Sequence, residues 1–164
     1  LVVAGEGAFD INIPAASVSG AVERIRATKS DVDALLVRVR LANAEKLRTH
    51  EIKDADLPLI GDGEKLVEGL AELEKALWQP EDTVGIVAES DALSKLYYVQ
   101  GYLQSSWDPP NETHLEYLRQ AREQALRAIE AVNRFYAERV EPFRVRVEEQ
   151  GPRLLPALAP LPVP

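Results

Sequence analysis

LVEGLAELEKALWQP, residues 66–80, sets leucine at positions 66, 70, 73 and 77, in steps of four, three and four. That spacing keeps the four side chains on one stripe of a 3.6-residue helix, so the segment predicts an amphipathic helix with a buried seam. The same spacing recurs outward in both directions. Val18, Val22, Ile25, Val32, Leu36, Val39 and Leu47 predict a long first helix to about His50, with Asn12, Ser17 or Ser19 available as its cap and Lys29 interrupting the stripe. Pro58, Gly61 and Gly63 read as a connection, with Asp62 as the cap of the leucine helix, which should stop before Pro80. Residues 80–89 form a loop with an apolar patch at Val84, Ile86 and Val87.

Ser90 is the expected cap of the next helix, with Asp91 at the positive end of its dipole and Leu93, Leu96, Val99 and Leu103 as its stripe. Gly101 lies inside that helix and costs up to about 1 kcal/mol against alanine unless a close helix approach uses it. Asn111 then caps a last helix of about forty residues, striped by Leu115, Leu118, Ala125, Ile129, Val132, Tyr136, Val140, Phe143 and Val147. Pro142 falls within it, removes a backbone donor and should bend it. The expected fold is an all-α antiparallel bundle of about four helices spanning 17–151, preceded by a linker at 1–16 and followed by an extended proline-rich tail at 152–164.

A chain of 164 residues can bury roughly 70% of the surface it exposes when unfolded, so a core can stand without staples. With no cysteine there is no disulfide and no CxxC site. No stretch follows the order of a signal peptide, and because the sequence opens on Leu1 it reads as processed or excised. No uncharged apolar run reaches the roughly 18 residues of a membrane span. The net charge of −8 argues against a nucleic-acid partner, whose phosphates need a basic stripe. Residues 17–50 carry four acids and seven bases, whereas 51–91 carry twelve acids and three bases, which favours pairing these two segments with each other.

Reactive groups are sparse. His50 and His114 stand alone and read as helix-end surface residues, and no Glu-x-x-His pair supports a di-iron bundle. Carboxylate pairs such as Glu72 with Glu74 and Glu148 with Glu149 sit on polar faces where nothing tunes them for acid and base work. The glycines at 5, 7, 61 and 63 do not build a phosphate loop. No catalytic, metal or cofactor-binding residue is assigned, and no cofactor is expected. The aromatic group at Tyr97, Tyr98, Tyr102 and Trp107 is the candidate interaction surface, above all Tyr98, Tyr102 and Trp107; the plainer reading is a wet junction between helices.

The order LVEGLAELEKALWQP, then SDALSKLYYVQGYLQSSWDPP, then a long helix ending ERVEPFRVRVEEQGPRLLP resembles the C-terminal helical region of bacterial BNR-repeat, sortilin-like β-propeller proteins, often labelled glycosyl hydrolases. The matched features are Lys95 and Leu96, the turn at Asp108 to Pro110, and the close from Gly151 to Pro156, together covering roughly 17–156. The resemblance implies an exported bacterial protein, periplasmic or extracellular, in which this region follows a propeller and supports it or mediates assembly. The Asp-box repeats of that family, Ser-x-Asp-x-Gly-x-x-Trp, are not found in these 164 residues, so no catalytic position is carried over. The expectation is therefore a non-catalytic structural or protein-interaction module whose partner is another protein or its own propeller. Two alternatives stand beside it: an appendage of a glycoside-cleaving enzyme, and a carrier holding an apolar ligand between helices, which would need a cavity where the leucine seams predict tight filling.

Overall fold

The computed structural model describes residues 2–3, 9–10, 12–54, 57–79, 91–105 and 110–150. The proline-rich tail at 152–164, the loop patch at Val84 to Val87, Ser90 and Trp107 lie outside the described residues. The fold is an all-α helical bundle. Its helices are α1 (Asn12–Ala42), α2 (Ala44–Arg48), α3 (Pro58–Leu77), α4 (Ala92–Ser105), α5 (Glu112–Phe135) and α6 (Glu141–Gln150), the last two joined by a π-helical turn at Tyr136–Val140. Ahead of α1, two short strands pair antiparallel, Val2 opposite Asp10 and Val3 opposite Phe9.

The chain divides into two compact units, and the divisions fall inside helices, after Glu23 in α1, after Glu72 in α3 and after Asn133 in α5. The unit holding 12–23 and Leu73–Asn133 is built on Val18, Leu77, Leu96, Ala121, Ala125 and Ile129, all completely buried. Five of these come from the predicted stripes, and Ala121 adds a small residue that lets neighbouring side chains close over it. Gln100 donates a hydrogen bond to Asn12 at 3.1 Å, tying α4 to the start of α1.

The unit holding Arg24–Glu72 and 134–150 has a core of Ile25, Val32, Ile60, Leu70 and Phe143. Here α3 packs against α1: Leu36 lies against Gly63, and Arg40 pairs with Glu64 at 2.7 Å and with Asp54 at 3.0 Å. These pairs realise the charge complementarity between 17–50 and 51–91, although as exposed pairs they contribute at most about 1 kcal/mol each. A β-carbon on Gly63 would come within 2.7 Å of Leu36 and 3.3 Å of Phe143, and one on Gly69 within 2.6 Å of the Phe135 ring. The two glycines thus seat the rings of the last helix against the α3 backbone.

Several boundaries differ from expectation for local reasons. The first helix breaks at Asn43 rather than running to His50, because the Asn43 side chain donates to the Val39 carbonyl at 2.8 Å and competes with the helical ladder. No residue of α2 is buried, so Leu47 does not continue the seam. The α3 helix begins at Pro58, whose missing N–H costs nothing in a first turn, which leaves Asp62 inside the helix and not at its cap. Asp91, not Ser90, caps α4: its carboxylate accepts from the Ser94 backbone N–H and hydroxyl, each at 2.8 Å.

Pro142 acts one turn before itself. In a regular helix its ring would press on the carbonyl four residues back. The preceding turn instead widens, and Glu141 N–H donates to the carbonyl of Tyr136, five residues earlier.

His50 closes α2. Its φ of 60° is left-handed, Glu51 N–H donates to the Lys46 carbonyl at 3.0 Å, and His50 N–H donates to the Leu47 carbonyl at 3.2 Å. This is the Schellman arrangement, normally given to glycine. His50→Gly is expected to raise the unfolding free energy by about 0.5–1 kcal/mol, since relief of the left-handed side chain exceeds the added freedom of the unfolded chain. Urea denaturation checks the sign, and a loss of stability would refute the strain.

Candidate functional site

The inner face of α4 buries Ala92, Leu93, Leu96 and Val99, so helical spacing sends Tyr97, Tyr98, Gly101 and Tyr102 outward. Tyr98 is 48% exposed and Tyr102 47%, and their rings stack with centroids 6.1 Å apart and planes inclined by 20°. Tyr102 in turn meets the edge of His114 at 4.9 Å and 76°. The two tyrosines expected to share a face therefore do so, while Trp107 lies outside the described residues.

His114 departs from the surface role expected of it. It is buried and locked at the start of α5: the Asn111 side chain accepts from His114 N–H at 3.1 Å, and His114 Nδ1 accepts from Asn111 N–H at 3.2 Å. That is a capping box with imidazole in the place usually held by glutamate, and it requires the proton on Nε2. Apolar spacing puts Leu115 at this inward position, but it is exposed, as is Tyr117. The signal was available in the three-residue step from Asn111 to His114. Beyond it on α5, Arg119 bridges Glu116 and Glu123, each at 2.7 Å, and with Gln120 holds the Glu116 carboxyl below its ordinary value.

Gly101 sits between these tyrosines with no atom within 4 Å of where a β-carbon would stand. No helix approach within the described residues uses it.

The other unit holds a second feature that the sequence reading did not single out. A groove of about 280 Å³ is lined by Asp62, Lys65 and Leu66 of α3 and by Phe135, Arg139, Phe143 and Arg146 of the last helix. Arg146 pairs with Asp62 at 3.0 Å and lies 6.0 Å from the Phe143 ring centre. Lys65 and Arg139 have no ion-pair partner among the described residues. Of the groove's two phenylalanines, Phe143 belongs to the predicted stripe and Phe135 does not, and each faces a glycine of α3.

Among the described residues no group of three or more His, Cys, Asp or Glu side chains is placed to hold a metal ion, and no helix is long and apolar enough to cross a membrane. The described chain belongs to the class of all-α helical bundles. No protein-family model matches it, and neither does a characterised protein or a solved structure.

Proposed function

We propose that this chain is a non-catalytic helical module that docks a folded protein partner through the tyrosine face of α4, and that the partner is an exported β-propeller in the same reading frame. The observation that carries the reading is Gly101. An exposed glycine in a helix interior costs about 0.5–1 kcal/mol against alanine, and nothing in the described residues uses the space it leaves. A partner seated on Tyr97, Tyr98 and Tyr102 would use it, since a missing side chain admits another backbone against α4. Tyrosine suits such a face: it offers a large ring, a polar tip and few torsions to immobilise.

Gly101→Ala is expected to stabilise the isolated chain by about 0.5–1 kcal/mol, read by urea denaturation, while weakening partner binding. The reading frame should encode Asp-box repeats upstream of Leu1, and the propeller region expressed separately should bind this chain in isothermal titration. Tyr98→Ala with Tyr102→Ala should weaken that binding at least about tenfold, equivalent to about 1.4 kcal/mol. Absence of the repeats, or binding indifferent to both changes, would overturn the proposal.

A further inference from the structure

We propose that the groove between α3 and the last helix binds a small organic anion with a compact aromatic body, a carboxylate or sulfonate. The chain as a whole carries −8, yet this groove gathers Lys65, Arg139 and Arg146 against a single acid, Asp62. Asp62 is committed to Arg146 at 3.0 Å, which leaves the charges of Lys65 and Arg139 uncompensated beside the half-buried Phe135 ring, with the buried Leu66 and Phe143 behind it. Cations kept side by side without acids repel one another, and an anion at that point converts repulsion into attraction next to low-dielectric walls.

The Phe135 ring narrows the class further. Inorganic phosphate or acetate would satisfy the cations but leave the open part of the Phe135 ring wet, whereas an aromatic body would cover it by offset stacking. The volume sets the size: 280 Å³ lies just under the roughly 300–1,000 Å³ of drug-sized ligand pockets, which suits one or two fused rings and excludes a long acyl chain. The π-helical turn contributes as well. It carries Arg139, and widened turns of this kind are frequent at ligand sites because they re-aim side chains without breaking the helix.

The test is a titration of the ¹⁵N-labelled chain with 2-naphthoate, followed by NMR. Saturable shifts should centre on Lys65, Leu66, Arg139, Phe143 and Arg146, with 2-naphthol and acetate each binding at least about tenfold more weakly. Lys65→Gln with Arg139→Gln, two exposed residues whose replacement should leave the melting temperature unchanged, should weaken naphthoate at least about tenfold. Naphthol binding as tightly as naphthoate would remove the anion from the proposal. Acetate binding equally would remove the aromatic body. Shifts centred away from the groove, or a double variant that binds like the wild type, would overturn the site, and neither result bears on partner docking at the tyrosine face.

Discussion

Phe143→Ala is expected to lower the unfolding free energy by about 3–5 kcal/mol, the largest loss from any single truncation considered for this chain. Phe143 is 1% exposed, its ring reaches Gly63 of α3, and it also borders the groove. Removing the ring deletes its transfer free energy and leaves a void that the α3 backbone cannot fill without bending. The groove side admits water into part of that void, which places the expected loss nearer about 3 than about 5 kcal/mol. Phe143→Leu keeps most of the volume and should lose no more than about 1.5 kcal/mol. Guanidinium denaturation followed by circular dichroism gives both values. A loss below 1 kcal/mol for the alanine variant would show that the ring is not a core residue.

The second large effect concerns Tyr136 and Thr28, which meet at 2.8 Å between the last helix and α1. The phenol donates to the Arg24 carbonyl at 3.2 Å and so accepts from the Thr28 hydroxyl, while the Arg24 guanidinium lies over the ring at 4.4 Å. Thr28 is 3% exposed, and it stands next to Lys29, where the predicted stripe was interrupted. Tyr136→Phe strands a buried hydroxyl and should cost about 1–3 kcal/mol. Tyr136→Phe with Thr28→Val removes both polar partners and should recover most of that loss, so the double-mutant cycle should show strong coupling. Additive losses would dissolve the network.

The same phenol predicts an alkaline limit. Burial raises its pKa above the ordinary 10.0, opposed by Thr28 and Arg24. A group whose folded pKa is raised contributes fully below the unfolded value and loses its contribution as pH climbs through the folded one. Wild type should therefore lose stability above about pH 10 faster than Tyr136→Phe, measured by urea midpoints from pH 9 to 11.

Much of the fold was legible because leucine and valine spacing records burial: of the four leucines in the α3 stripe, Leu66, Leu70 and Leu77 lie in the core, while Leu73 is half-buried at its edge. Caps were harder. Ser90 and Asp91 are both good caps, and only the reach of the Asp91 carboxylate to Ser94 decides between them. The end of the first helix was illegible because Asn43 and His50 act through local backbone geometry that apolar periodicity does not record. At the tyrosine face, spacing alone paired Tyr98 with Tyr102, but the inward turn of His114 depends on a reciprocal hydrogen bond with Asn111. The groove depends on residues from two helices some seventy positions apart, so no local pattern in either one reveals it.

The widened turn at Tyr136–Val140 also bears on how this chain can vary in length. Deleting one amino acid from an ordinary helix swings everything downstream by about 100° around its axis. At this turn the surplus residue is already accommodated, so a single deletion there should tighten five-residue bonds to four and leave Val132 and Val147 pointing the same way as before. Natural variants one residue shorter in the C-terminal third should carry their gap here, and they should lack the proline.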